Sequence, residues 1–404
     1  MHKSLIALGL SSLLLSGTAL AKEFVLTDVK GNVEVPTWSV KSEELGVKGG
    51  PAFTVSKKTL HGGKQEGSTL ITISTADLQV SIIPTRGMAL HEITSGSVRA
   101  GWDSPVDEIV NPAFINLEQR GGLGWLDGFN EAMVRAGYEW TGHPGQDEKG
   151  RLLSLHGRAG NTPASTVIVS IDDKAPHTIH VKGLIKENTF KFSALETWSD
   201  ISVTPGEKTV RLHDVTTNTA DYDRPYQIIY HSNFGAPLLE EGAKFLAPAK
   251  DVSPFNEYAK KWLKDWQTYL GPTKGYDETV YNIVPLADAQ GGTVGLLHNK
   301  AGDKGLALSF NVKQLPVLTL WKNTDTLKQG YVTGIEPGTN YAYAQQIERQ
   351  QGRLKILPPG GSQAFDLEYT LLTTAPEVAA VVKRIDTIQG SAKVNLITEP
   401  MAVE

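Results

Sequence analysis

From Thr69 onward the chain keeps returning to one pattern. Short runs of apolar, β-branched and aromatic residues are separated by glycine, proline, asparagine or aspartate. Thr69–Ile73, the alternating Leu78, Val80 and Ile82, Thr166–Ile171, Thr178–Val181, Phe190–Trp198 and Thr209–Val215 are such runs. The run beginning at Ile228 follows, then Thr279–Val284, Thr293–His298, Leu306–Phe310, Val317–Trp321, Leu354–Leu357 and Asp366–Leu372. A strand repeats every two residues and must bury at least one face. Many short strands with turn signals and no linker satisfy that only by stacking or closing sheets. The chain is therefore expected to be all-β, one large two-sheet domain over residues 22–404 rather than two small ones. Two segments read otherwise: Ser253–Trp266, with serine at the cap, proline next to it and Gly271 beyond the end, as a short helix or helical turn, and Pro376–Ile388 as a helix.

Composition narrows the classes. Of 404 residues, 40% are hydrophobic and 21% charged, an ordinary globular balance. Lys+Arg number 39 against 44 Asp+Glu, with no basic run, which argues against nucleic acid as a partner. There are no cysteines, so disulfides, thiol catalysis and thiolate metal ligands are excluded and stability must come from a buried core. Met1-His-Lys, the apolar stretch Leu5–Leu15 and the small-x-small Ala19-Leu-Ala21 read as a signal peptide cut after Ala21. That apolar stretch is short for a membrane span. The expected product is periplasmic or secreted, with no membrane attachment after cleavage. Lys22–Gly67 reads as an entry segment that crosses or edges a sheet. Gly101–Gly150, rich in glycine and tryptophan and without a clear period, reads as a binding loop or lid.

Three stretches carry candidate chemistry. Ile228–Leu239 holds His231 and Asn233 on a strand that ends at Gly235 and Pro237. A histidine on a rigid strand beside an amide is a well-held acid or base. Leu153–Asn161 offers His156, Arg158 and Asn161, and Gly334–Asn340 offers Glu336 and Asn340. A carboxylate between Ile335 and Pro337 has a partly apolar niche, which raises its pKa toward a value useful for a base. Arg86, at a strand end, joins Arg158, Asn161, Asn233 and Asn340 as a fixed donor or acceptor for vicinal hydroxyls. Trp102, Trp125, Trp140 and Trp321 offer flat faces for the C–H side of a sugar ring, and His143, before Pro144, sits in the long loop. His156, His231 and Glu336 also form a two-histidine, one-carboxylate set of the kind that holds zinc or iron. No H-x-H or H-E-x-x-H spacing supports that use, and no metal or cofactor is assigned.

These residues lie in Pro84-Thr-Arg-Gly-Met88, Gly101-Trp-Asp-Ser-Pro105, the Gly121–Asn130 run, Leu155-His-Gly-Arg158, Tyr230–Leu239 and Gly334–Asn340. As a set the motifs resemble the aldose 1-epimerase (galactose mutarotase-like) superfamily, and a bacterial branch of it of unknown function. The resemblance covers roughly Leu70–Ile388. It implies a large antiparallel β-supersandwich with a few short helices and a small-molecule carbohydrate substrate. It also implies His156 as a sugar ligand, His231 as the acid for the ring oxygen, Glu336 as the base for the anomeric hydroxyl and Arg86 as a sugar contact. The aspartate that holds substrate hydroxyls in the mutarotases has no matching position here, and the tryptophan-rich loop belongs to this branch. The leading expectation is an aldose 1-epimerase that interconverts sugar anomers. The alternatives are a lyase or keto-sugar isomerase acting on oligosaccharide or uronate fragments, and a non-catalytic periplasmic carbohydrate-binding protein.

Overall fold

The computed structural model describes residues 22–47 and 50–401; the signal peptide expected over residues 1–21 lies outside them. Two large sheets account for most of the chain. The sheet that matters for function is built around six strands: β1 (Ala89–Ser95), β2 (Met133–Tyr138), β3 (Arg224–Phe234), β4 (Thr279–Pro285), β5 (Val317–Asn323) and β6 (Val332–Gly338). Their spatial order is β4-β5-β6-β3-β2-β1, continued beyond β1 by Gln79–Ile83, Thr69–Thr75, Phe53–Thr59 and Thr37–Lys41. The second sheet includes Gly292–His298, Gly305–Asn311, Ser362–Leu372, Thr209–Asn218, Ala194–Val203, Ile179–Asn188 and Thr166–Ile171. Antiparallel pairing runs through both, as short hairpin connections require. One apolar core joins the facing sides, with Ile71, Val80, Tyr230 and Ile335 from the first sheet and Val169, Val181, Ile201 and Leu367 from the second. This is the β-supersandwich expected.

Lys22–Gly67 edges both sheets, Lys22–Asp28 on the second and Phe53–Thr59 on the first. The C-terminal helix α1 (Ala375–Gln389) lays Val378 and Ile385 on Val294, Leu296 and Leu372 of the second sheet. Its first turn is fixed by Glu377, whose carboxylate accepts the Thr373 and Thr374 N–H groups at 2.8 and 3.1 Å. Among the described residues no helix is long and apolar enough to cross a membrane.

Three expectations need correcting. Phe190–Trp198 is not one strand: the hairpin turns between Asn188 and Ala194, and Phe190 sits at its tip, 85% exposed. Within Ser253–Trp266 only single helical turns form, and they do not begin at Ser253. Ala249–Pro254 is a strand, Asn256 rather than Ser253 caps the single turn Glu257–Lys260, and Leu263–Asp265 is a separate 3₁₀ turn. Ser253 is taken by pairing with Asn282 of β4, and sheet pairing outweighs a local capping preference. Finally, Gly101–Gly150 contains β2, a fully buried strand in the middle of the functional sheet.

The sequence of β2 hides it because it carries Arg135 inside the sandwich. All five guanidinium N–H groups are used. Nε donates to Asp214 Oδ2 at 2.6 Å, and Nη2 to Asp214 Oδ1 at 3.0 Å and Ser199 Oγ at 2.7 Å. Nη1 donates to the Gly87 and Met88 carbonyls at 2.9 and 2.7 Å. Asp214 and Ser199 belong to the second sheet, so this pair clasps the two layers. A buried ion pair adds little net stability over an apolar pair, but removing one partner strands the other charge. Asp214→Ala is expected to lower unfolding stability by roughly 3–5 kcal/mol, read from denaturant midpoints. Adding Arg135→Met is expected to recover most of that loss.

Candidate active site

Register brings the distant motifs together. In the β3–β6 pair, Ser232 lies opposite Ile335 and Asn233 opposite Gly334. One step along the same register sets His231 opposite Glu336. Across β5–β6, Thr319 lies opposite Glu336 and Trp321 opposite Gly334. Directly opposed residues on neighbouring strands share a face. His231, Glu336 and Thr319 therefore form a row on the face turned away from the central core, with Asn233, Gly334 and Trp321 in the next row. The intervening Tyr230, Ile335, Leu318 and Leu320 point the other way, into the core. Gly334 has to be glycine: a Cβ there would stand 2.3 Å from Glu336 Oε1 and 3.1 Å from the Trp321 ring. Its absence is the space into which the carboxylate folds.

The result is a hollow of about 290 Å³. Its floor is His231, Glu336 and Thr319, its walls Trp125, Phe129, Trp321, His156 and His143, with Glu278 at the rim. His231 Nε2 stands 3.3 Å from Glu336 Oε1. On the other side of the ring, His231 Nδ1 is 2.6 Å from Asn233 Oδ1. Asn233 Nδ2 donates to the Glu131 and His231 carbonyls at 3.1 and 3.0 Å. The amide oxygen must therefore face the imidazole and accept from it. Nδ1 carries a hydrogen, and in the neutral ring Nε2 presents its lone pair to Glu336.

Burial sets the charge state. The His231 ring centroid lies 5.4–5.7 Å from those of Phe129, Trp125 and Trp321 and 4.9 Å from that of His156. Desolvation by that cage lowers the His231 pKa to about 4, against a smaller upward pull from Asn233. Burial also raises Glu336 well above the usual carboxylate range, helped by the negative charge of Glu278. Both shifts favour the uncharged pair, with one proton held on Glu336 and facing the His231 lone pair. His156 is pushed down as well, by burial and then by His231 and His143.

Four polar atoms around the hollow find no hydrogen-bond partner within the protein: His156 Nδ1, Thr319 Oγ1, Trp125 Nε1 and Glu336 Oε1, the last standing 3.3 Å from His231 Nε2. Buried polar atoms without partners are costly, and a guest carrying several hydroxyls would supply partners for them. His156 also holds a left-handed backbone, φ +57°, which is unusual for a side chain of its size. Its N–H donates to the Gly142 carbonyl at 2.8 Å and its carbonyl accepts the Gly137 N–H at 3.0 Å, so the strained turn is pinned from both ends.

The remaining sequence candidates lie elsewhere. Arg86 does not line the hollow. It is buried beneath the loop that carries Trp125 and Phe129, donating to Glu131 Oε1 from Nε and Nη2 at 3.0 and 2.6 Å and to the Gly128 carbonyl at 3.0 Å. Its Nη1 meets Asn161 Oδ1, which accounts for Asn161 too. A Cβ at Gly128 would lie 2.3 Å from Arg86 Nη1, so loop and arginine fit only because that residue is glycine. Asn340 is spent locally, accepting from Thr339 Oγ1 at 2.9 Å and donating to the Tyr341 carbonyl at 2.7 Å. Arg158 and Trp140 line a different, larger cavity of about 700 Å³. Size alone would select that one; the opposed acid and base select the smaller. Trp102 lies behind Phe129 and donates from Nε1 to the Glu131 carbonyl at 3.2 Å. Phe129, Thr319 and Glu278 were not singled out by the sequence motifs. Thr319 and Glu278 are legible only through register: Thr319 lies opposite Glu336, and the Glu278 carboxylate accepts from Trp321 Nε1 at 2.7 Å. Among the described residues no group of three or more His, Asp or Glu side chains is arranged to hold a metal ion.

Comparison with known proteins agrees with this architecture. A candidate aldose 1-epimerase from Klebsiella pneumoniae subsp. pneumoniae MGH 78578 is 57% identical, with a TM-score of 0.93 over 95% of this chain and 100% of that one. A galactose mutarotase-like protein from Clostridium acetobutylicum is 10% identical and shares the fold, with a TM-score of 0.50 over 84% of this chain and 99% of that one. No protein of curated function matches. Residues 65–371 match a domain of unknown function, DUF4432. The chain belongs to that family and, by fold and by its 57% identical relative, to the galactose mutarotase-like, aldose 1-epimerase-related proteins.

Proposed function

We propose that the protein is an exported aldose 1-epimerase, opening and reclosing a sugar ring to exchange its anomers. The observation that carries this reading is the 3.3 Å contact between His231 Nε2 and Glu336 Oε1 on the floor of a monosaccharide-sized hollow. The two oxygens of an anomeric centre share one carbon. An acid and a base that touch each other can therefore each reach one of them.

In the forward half-cycle Glu336, as carboxylate, takes the proton of the C1 hydroxyl. That electron pair forms the carbonyl, the bond from C1 to the ring oxygen breaks, and the ring oxygen takes the proton from His231 Nε2. Rotation about the C1–C2 bond presents the other carbonyl face. Closure then runs in reverse, His231 recovering its proton from the attacking hydroxyl and Glu336 returning one to the new anomeric oxygen. The closed sugar faces the ion pair and the open sugar faces the neutral pair. These differ by one proton shifted between groups already in contact, so nothing has to enter from solvent. Trp321 and Trp125 supply apolar faces for the ring, and His156 Nδ1 and Thr319 Oγ1 serve its hydroxyls. Asn233 acts as a positioning residue, keeping Nε2 free for the exchange.

Glu336→Gln is expected to lower anomer exchange above the uncatalysed rate by roughly 100- to 10,000-fold, measured by polarimetry or exchange NMR over a panel of aldoses. Arg158→Gln, in the other cavity, is expected to leave it unchanged. Equal rates for wild type and Glu336→Gln on every sugar would refute the mechanism.

The same pair makes stability depend on pH. The folded-state pKa of Glu336 lies above its ordinary value, so folding favours the protonated form. That contribution is complete below the ordinary carboxylate pKa and is lost as pH rises through the folded value. Glutamine stays neutral throughout. The melting temperature of Glu336→Gln is therefore expected to gain on wild type as pH rises above the ordinary carboxylate range. A stability difference between variant and wild type that does not change with pH would refute the raised pKa of Glu336.

A further inference from the structure

The larger cavity lies along the hairpin of Gly145–Gln146 and Leu152–Leu153, whose adjoining residues His143, Pro144 and Leu155 line the smaller hollow. Among its lining residues are Glu139, Trp140, Arg158, Phe192, Arg224 and Gln345. Most of its charges are already matched. Arg158 Nη2 donates to Glu139 Oε2 at 2.8 Å and its guanidinium lies 4.8 Å over the Trp140 ring. Arg151 pairs with Asp147 and stacks 4.5 Å over Phe192, and Arg349 stands 3.3 Å from Glu148.

Arg224 differs. Among the described residues its side chain makes no hydrogen bond or ion pair, and its Nε is shielded from solvent without a partner. It sits at the first residue of β3, held in place by main-chain pairing with Leu357. A guanidinium fixed at a cavity wall, with a shielded donor left over, is a fork awaiting a planar oxyanion. Acceptors are left over beside it. Glu139 uses only one carboxylate oxygen in the hydrogen bonds described, and Gln345 is engaged through Nε2, which donates to the Glu139 carbonyl at 2.8 Å. A fork of donors next to spare acceptors suits a ligand carrying a carboxylate and hydroxyl groups together.

We infer that this cavity is a second binding site, for a sugar acid of the uronate class, whose carboxylate pairs with Arg224 and whose hydroxyls meet Glu139 and Gln345. The site is separate from the His231–Glu336 pair and does not depend on the reaction assigned to it. Burial raises the pKa of Glu139, followed by the charge of Glu187, with Arg158 and Arg224 opposing. A carboxyl group whose ionised form is disfavoured repels an incoming carboxylate less than a free one would.

The test is direct binding by calorimetry and ligand-observed NMR, with galacturonate and glucuronate against galactose and glucose at matched ionic strength. Uronates are expected to bind wild type and Glu336→Gln alike. Arg224→Gln is expected to weaken uronate binding about tenfold or more while leaving the neutral hexoses unaffected. Arg224→Lys, which keeps the charge but loses the fork, is expected to fall between. Arg224 is half-exposed and unbonded, so unchanged melting curves are expected for both variants. Failure of uronates to bind wild type, binding unchanged in Arg224→Gln, or equal losses for acidic and neutral sugars would each overturn the inference. So would uronate binding that vanishes in Glu336→Gln but persists in Arg224→Gln, which would place the ligand in the smaller hollow. Anomer exchange is measured separately, so either assignment can fail while the other stands.

Discussion

The structure depends most on the pairing register of β3 with β6. Side chains on a strand alternate between faces, so a one-residue slip of β6 against β3 would carry Glu336 into the core, bring Ile335 out and leave His231 without its partner. In the native register the imidazole and the carboxyl group are cross-strand neighbours, and their contact follows from sheet geometry rather than from flexible loops. Two features reinforce that register. Gly334 removes the one Cβ that would occupy the carboxylate's place. Asn233, two residues from His231 on the same face, anchors the ring through an amide that is itself tied to two carbonyls.

Much of this was legible in the residues and some was not. Period-two alternation marks Leu78, Val80 and Ile82, because one buried face forces it, whereas Thr293–His298, Leu306–Phe310 and Val317–Trp321 show as nearly continuous apolar runs because both faces are covered. His231, His156 and Glu336 announce themselves as polar residues set in apolar strand sequence beside glycine, and all three line one hollow. The misleading cases share a cause. Arg86 and Asn340 look like ligand-binding groups and Arg135 hides a buried strand, yet their donors are consumed inside the protein, in the case of Arg135 by a partner 79 residues away. Local sequence cannot tell an arginine aimed at a guest from one aimed at a buried aspartate. Phe190 errs in the opposite direction, an apolar residue that tertiary structure leaves at an exposed hairpin tip.

The electrostatics of the hollow are set by aromatic enclosure more than by neighbouring charge. Three rings and a second imidazole around His231 make each charged form expensive, and the Glu336 carboxyl sits in the same dry space. An isolated acid or base there would simply lose its charge and its use. As a pair they hold one proton between them, and the cost of separating charge falls on the arrangement that a sugar's polar oxygens would stabilise.

The buried arginine under the aromatic loop has a consequence for divergence. His231 and Glu336, the groups proposed to move protons, are fixed by strands, whereas Trp125 and Phe129, which shape the space above them, ride on a segment braced from below by Arg86, Glu131 and Gly128. Chemistry and ligand preference thus have different carriers. Substitutions along the loop's upper surface can retune which guest fits without disturbing the brace or the sheet, so descendants of this scaffold can change their ligand while inheriting the same proposed acid–base floor.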